Sequence, residues 1–360
     1  MKCLFLICGE GRGHATQALA LKEILNSIDI SVEYAYIGKS DTQRNHDWVF
    51  NALDLPQNYY YSPSFVYKNK QVSIKDTIFN AVKNLPTIIK SVKALKTQVR
   101  NSGVDFIVNF YEPLTPLVKG NIPVITIGHQ YMLSHPTYVN TPYMRLSNEL
   151  KLNKQLICLF NKWVSYQSKH ILALSYYNTY SVKNIKTAPP LLRQDILNAS
   201  PSIIQNKVTI YVMNSDMVEQ ILQQTINYPY HKFVIYNEKI LTQTFNTSCK
   251  LVSSEFMNDL LSSEYVVCSG GFETICESHY HNKKILAVPT VNHTEQTLNC
   301  MDAMLNNVAY TNKEYNLDII LNRFNPHRTN RNISSKPFDK NEYKDFYVNF
   351  FKSLKDKQNI

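Results

Sequence analysis

The chain has 360 residues, above the ~250–300 at which a single hydrophobic core stops growing, so two lobes are expected. Its apolar fraction is 44%, glycine and proline are sparse and no low-complexity tract occurs, which excludes a disordered or fibrous chain. The net charge of +10 invites a polyanionic partner, yet no block of five or six like charges appears; this argues against a dedicated nucleic-acid binder and favours an anionic membrane surface. Seven cysteines show no CxxC pair and no metal-ligand spacing, the pattern of free thiols in a reducing compartment. The opening apolar run over 3–9 is too short for a signal peptide, and no stretch reaches the ~18 apolar residues that span a bilayer. The expected location is the cytoplasm, with a peripheral seat on the inner face of the membrane.

Residues 2–8 form a continuous apolar run, followed by a glycine-rich turn and by helical apolar spacing over 15–27, which predicts strand, loop and helix. The alternation continues with a strand over 32–37, a region without a pattern to about 67, a helical stretch over 74–101 and strands over 106–109 and 124–127. Residues 171–175 supply the last strand of a first lobe spanning 1–187. Proline and small polar residues then concentrate, so 188–204 reads as a linker. A second lobe over 205–336 repeats the series, with strands over 208–213, 232–236, 249–252, 265–268 and 285–288 and helices over 217–225, 256–261 and 273–280. An amphipathic helix over 339–355, inside a C-terminal segment 337–360, carries Tyr343, Phe346, Phe350 and Phe351 on roughly one face. The expected class is α/β, two Rossmann-like doubly wound lobes facing across a cleft, with ligands beyond the carboxyl ends of the strands.

The stretch SGGFETICE, residues 269–277, sets Gly270 and Gly271 between an apolar strand and a helix. The glycines let backbone approach a ligand closely, and the free N–H groups of Phe272, Glu273 and Thr274 form an anion site suited to a diphosphate. Glu277, about one turn into the helix, is acceptor-only when ionised and suits a vicinal diol such as a ribose. The same residues also fit a plain strand-to-helix turn with an acid favoured by the helix dipole. Beyond the next strand, a loop carries His293, Glu295 and Gln296; a Glu-Gln pair can hold two neighbouring sugar hydroxyls, and Glu295 equally fits a polar helix start.

At the end of the first strand stands Gly9-Glu10-Gly11-Arg12-Gly13-His14. A dinucleotide fingerprint wants glycine where His14 stands and an acid where Gly38 and Lys39 stand, so a dehydrogenase is disfavoured. Further polar residues at first-lobe strand ends are Asn109, Tyr111 and Glu112, then His129 and Gln130. No paired-aspartate metal motif is evident.

The segments SGGFETICES, AVP and NHTEQTLN together resemble the donor signature of GT-B glycosyltransferases, in particular the bacterial and archaeal group related to the lipid-linked peptidoglycan GlcNAc transferase and the UDP-glucuronosyltransferases. The resemblance is specific over 251–299 and 9–20 and weaker over 104–130. It implies Ser269, Gly270, Gly271, Phe272 and Thr274 around the diphosphate, Glu277 on the ribose, and His293, Glu295 and Gln296 at the donor sugar. Ser269 stands where plant-type members carry histidine, and nineteen residues from Glu277 to Gln296 fit the peptidoglycan type. The loop ending in Gly13-His14 resembles the group's acceptor side, which makes His14 the candidate general base; an unperturbed imidazole, with pKa near ~6.5, takes a hydroxyl proton at neutral pH. Gly11, Arg12, Gly13, Asn109, His129 and Gln130 complete the implied acceptor or phosphate set. Aspartate usually occupies the place of Asn109, so either Glu112 supports His14 or the base is not a charge-stabilised dyad. The implied activity is inverting, metal-independent transfer from a UDP-sugar, a substrate and not a cofactor, to a hydroxyl of a glycan, lipid-linked or small-molecule acceptor. The C-terminal helix is expected to cross back to the first lobe. Two alternatives remain, a nucleotide-sugar 2-epimerase on the same fold and a non-catalytic nucleotide-sugar or polyanion binder.

Overall fold

The computed structural model describes residues 1–40, 46–64, 66–68, 71–135, 148–182, 184–212, 215–237, 246–251, 255–291, 293–322 and 336–356. The chain divides into two compact units, residues 1–194 with 335–360, and residues 195–334. The division after Gln194 falls inside the stretch read as a linker.

The first unit carries strands β1 (Lys2–Cys8), β2 (Ser31–Lys39), β3 (Tyr59–Tyr61), β4 (Phe106–Phe110), β5 (Val124–Gly128), β6 (His170–Leu174) and β7 (Ile185–Ala188). They form one seven-stranded sheet in the order β7-β6-β5-β4-β1-β2-β3, parallel at every pairing. The central strands β4 and β5 are buried along their whole length, which is why they read as unbroken apolar runs with no alternation. Helices α1 (Gly13–Asn26), α2 (Asp47–Leu53), α3 (Ile74–Lys83), α4 (Leu85–Asn101), α5 (Thr115–Val118) and α6 (Asn148–Val164) connect the strands. The single helical stretch expected over 74–101 is two helices. Pro86 lies in the first turn of α4, where its missing N–H costs nothing, and Asn84 ends α3. Strand β3 lies in the region without a sequence pattern, and β7 adds a strand after the one read as last.

The second unit repeats the plan with α7 (Gln194–Leu197) at its entry, then β8 (Ile204–Tyr211), α8 (Ser215–Thr225), β9 (Lys232–Asn237), β10 (Thr247–Leu251), α9 (Glu255–Ser262) and β11 (Ser263–Ser269). It continues with α10 (Phe272–Tyr280), β12 (Lys284–Val288), α11 (Thr294–Leu305), β13 (Tyr310–Thr311) and α12 (Asp318–Leu321). The six strands stand in the order β10-β9-β8-β11-β12-β13, again all parallel. Val208, Ile210, Phe233, Ile235, Val267 and Leu286 fill the core beneath this sheet. The predicted strand ends at Met213 and Val252 lie outside the described residues.

Residues 336–356 belong to the first unit. Lys336–Pro337 pairs antiparallel with Tyr177–Asn178, and α13 (Glu342–Asp356) follows. Phe351 stacks 6.0 Å from Phe106 of β4, the Tyr347 hydroxyl donates to the Pro189 carbonyl, and Lys355 Nζ donates to the Ile28 carbonyl at 3.2 Å. Tyr347, absent from the predicted aromatic face, is fully buried, whereas Phe346 is only partly covered.

Candidate functional site

In a doubly wound sheet, ligands gather beyond the carboxyl ends of the strands where the strand order reverses. In the first unit that point lies between β1 and β4. Gly9, just past β1, donates its N–H to the Gly38 carbonyl at 2.8 Å, and any side chain on Gly9 would collide with that same oxygen. His46 Nε2 meets the Gly9 carbonyl at 3.0 Å, which makes this nitrogen the proton-bearing one, and burial lowers the imidazole's pKa. Gly11 takes φ +74° and faces open space, and the Arg12 guanidinium lies 4.7 Å from the Trp48 ring. Gly13 and His14 begin α1. The His14 ring stacks on Tyr111 at 5.6 Å and 19°. Tyr111 directly follows β4 and adopts φ +60°, a left-handed conformation rare for an aromatic residue. Its hydroxyl donates to Asn161 Oδ1 at 2.6 Å, and Tyr131 and Phe160 flank the ring edge-on. The His14–Tyr111 contact thus spans the reversal point.

Several expected acceptor-side residues are buried and bonded to their own unit. Glu112 is fully buried; its Oε1 accepts from Ser62 Oγ at 2.7 Å and from the Leu114 N–H at 3.1 Å, while Oε2 lies over the Gly38 Cα. Burial pushes its pKa up to about 7, against the lowering effect of those hydrogen bonds. Glu112 is therefore held to the end of β3 and to its own loop, and the expected pairing with His14 is not made. Asn109 is also fully buried. Its Nδ2 donates to the Val164 carbonyl at 3.1 Å and its Oδ1 accepts the Glu112 N–H at 2.7 Å, so both amide ends serve backbone. His129 and Gln130 open the short 3-10 helix His129–Ser134 and are 3% and 5% exposed. His129 Nδ1 donates to the Leu174 carbonyl at 2.7 Å, burial drops its pKa to about 4, and the Gln130 carbonyl accepts from Asn161 Nδ2 at 2.7 Å. Position in sequence put these groups at strand ends, and in the structure all four are buried.

In the second unit the order reverses between β8 and β11. Ser269 pairs in register with Val288, so β11 and β12 end level and α10 and α11 start from neighbouring strand ends. Gly270 packs on α11 so closely that a side chain would lie 2.5 Å from the Gln296 carbonyl and 2.8 Å from Cys300 Sγ. Gly271 has φ −72° and open space beside it, and its N–H turns back to the Ser269 carbonyl at 2.8 Å. Phe272, Glu273 and Thr274 form the first turn of α10, at the positive end of the helix dipole. Glu277 lies one turn further and is buried, 4% exposed. His293, Glu295 and Gln296, expected on a loop, are the N-cap and first turn of α11. His293 Nδ1 caps the Gln296 N–H at 3.3 Å, and Gln296 Oε1 accepts the Thr290 N–H at 2.8 Å. The Gln296 side chain therefore offers a ligand its amide donors but not its acceptor. Asn299, one turn on and 2% exposed, donates from Nδ2 to the Gly270 carbonyl at 3.0 Å. Sequence inspection passed it over, though its place three residues after Gln296 puts both on one helix face. Among the described residues no group of three or more His, Cys, Asp or Glu side chains is placed to hold a metal ion.

Comparison with known proteins follows the same lines. Residues 1–324 match the family model described as glycosyl transferase family 1. An uncharacterized glycosyltransferase of Methanosarcina acetivorans is 22% identical over 324 residues, covering 83% of this chain and 80% of that protein. Among solved structures, Acinetobacter baumannii MurG superposes with a TM-score of 0.56 at 12% identity, over 97% of this chain and 100% of that one. Phytolacca americana UGT2, solved with UDP-2fluoro-glucose and pterostilbene, gives 0.55 at 13% identity over 98% and 90%. At these identities the structural likeness is one of fold, the two-unit α/β arrangement of GT-B glycosyltransferases.

Proposed function

Because the chain belongs to glycosyl transferase family 1 and is a glycosyltransferase, we propose that it moves a sugar from a UDP-sugar to an acceptor hydroxyl by direct displacement with inversion at the sugar carbon. The observation that carries this reading is the pair of helix starts at the level ends of β11 and β12, with Gly270 seated on the Gln296 carbonyl. The positive N-terminal turn of α10 takes the diphosphate and stabilises its charge as the glycosidic bond breaks, so no bound metal is required for that task. Gln296 donates to a sugar hydroxyl, Glu295 accepts from a neighbouring one, and Glu277 takes the ribose diol once its cover opens. His14, held by the Tyr111 ring, removes the acceptor proton as the hydroxyl oxygen attacks. The UDP complex of the UGT2 neighbour supports the choice of nucleotide. A thermal-shift panel of UDP-sugars and other nucleotide sugars tests the reading: stabilisation by UDP compounds is expected, and no shift with any nucleotide sugar would sink it.

The acceptor side of the reading includes an anionic bilayer as the surface on which the enzyme rests. On α3 and α4 the side chains of Ile78, Phe79, Val82, Leu85 and Ile89 are 47–70% exposed at helical spacing. Residues 77–104 carry Lys83, Lys90, Lys93, Lys96 and Arg100 and no acid. Apolar residues interleaved with lysine on one face suit a lipid surface with negative headgroups. Co-sedimentation with phosphatidylglycerol-containing vesicles, absent with pure phosphatidylcholine and lost in Phe79→Glu, is the expected outcome; equal recovery with both lipids would remove this part. No helix among the described residues is long and apolar enough to cross a membrane.

A further inference from the structure

Gly270 and Gly271 share a peptide whose two polar ends are both occupied. Its carbonyl accepts from Asn299 Nδ2 at 3.0 Å and its N–H donates to the Ser269 carbonyl at 2.8 Å. Two successive glycines give this peptide more rotational freedom than any other pair of residues would, and it stands immediately before the first turn of α10. The Ser269 bond is local and forms within the turn itself. Asn299 comes from the neighbouring helix, is 2% exposed, and reaches a carbonyl that no solvent would otherwise satisfy.

We propose that Asn299 is a positioning residue that fixes the Gly270–Gly271 peptide with its carbonyl turned toward α11, keeping that oxygen's partial negative charge away from a diphosphate at the start of α10. The diphosphate itself rests on the donor reading above. Three facts converge on this assignment. The space beside Gly271 is open, which leaves a carbonyl released from Asn299 room to turn. The tight seat of Gly270 on the Gln296 carbonyl and on Cys300 Sγ keeps the distance from α11 short enough for the Asn299 bond. Asn299 and Gln296 project from one face of α11, so a single rigid helix sets both the phosphate turn and the sugar-reading amide.

The test compares wild type with Asn299→Asp, which keeps the shape, removes the N–H donor and sets a carboxylate against the carbonyl. Titration calorimetry with UDP, ligand-observed NMR with uridine, and amide hydrogen exchange over 269–274 in the free protein are read together. The expected result is UDP affinity weakened roughly tenfold or more, the scale of one lost buried hydrogen bond. Uridine affinity should stay within about twofold, since no phosphate is involved. Exchange at Gly271 and Phe272 should accelerate. Equal losses for UDP and uridine, or unchanged exchange, would overturn the assignment and leave Asn299 a packing residue. Should Asn299→Asp fail to fold, Asn299→Ala gives the same three readouts without the repelling charge. If wild type itself binds no UDP, the donor reading fails, and the exchange measurement alone still upholds or overturns the role of Asn299 in holding the peptide.

Discussion

At the reversal point of the first unit, side chains close the loop after β1: His46 holds the Gly9 carbonyl, Tyr111 carries the His14 ring, and Glu112 supports Gly38 from below. At the reversal point of the second unit, backbone does the equivalent work, with Gly270 pressed on the Gln296 carbonyl and α10 and α11 starting side by side. The strand order 3-2-1-4-5-6 is common to both sheets, the first adding β7 at its edge, so topology at the reversal point does not explain the difference. Chemistry does. A proton-transfer group has to be a side chain held at one angle, whereas a diphosphate is met best by several N–H groups whose positions the helix already fixes.

Replacing His14 gives the sharpest separation of the two. His14→Ala is expected to lower turnover roughly 100- to 10,000-fold, the range for removing a general base, with UDP affinity unchanged. Steady-state kinetics beside calorimetry checks this, and a parallel loss of UDP affinity would mean that the two regions do not divide the work as proposed.

Glu112 tests whether the first region depends on buried side-chain chemistry. Its pKa, raised by burial to about 7 from the ordinary carboxyl value of 4.5, means that the folded state holds a proton that the unfolded chain releases between these values. Stability is thus fullest below pH 4.5 and is lost as pH rises through 7, by on the order of 3 kcal/mol from this group alone. Glu112→Gln, whose amide oxygen can still accept from Ser62 and Leu114, should flatten that part of the profile and gain relative stability at pH 8. Urea denaturation at a series of pH values measures it; an unchanged slope would show that the carboxyl is not neutral in the fold.

The smallest effect concerns the second region. Gly270→Ala should cost about 1–3 kcal/mol, because the added carbon meets a backbone oxygen that cannot move aside. Gly271→Ala, at φ −72° with open space beside it, should unfold at the wild-type temperature and differ only in ligand affinity. Equal losses from both would contradict the packing described.

Legibility followed the same division. The second region was largely readable, because a strand, Gly-Gly and a helix are adjacent in sequence, and local chemistry determines local shape. What was missed there, Asn299 and the cap formed by His293, required knowing that α11 starts immediately after the loop. The first region was harder. His46, Trp48 and Ser62 come from a stretch with no apolar period, and only the parallel pairing of β3 with β2 brings them to the site. Asn109, Glu112, His129 and Gln130 were placed at the correct strand ends but expected in the open, since sequence marks where a strand stops but not how deeply the following turn is buried. The two-lobe class was legible throughout, because alternating strands and helices admit few other arrangements.

The return of residues 336–356 to the first unit bears on how the molecule is made. During synthesis all strands of the first sheet emerge before residue 195, yet the helix carrying Tyr347 and Phe351 against that sheet emerges after the whole second unit. The second unit is one uninterrupted stretch of chain and is free to fold while the first still lacks its last layer. The whole of the second unit therefore leaves the ribosome before the first is complete, and a chain stopped short of residue 342 would strip Phe106 and the Pro189 carbonyl of their partners while the second sheet keeps all its strands.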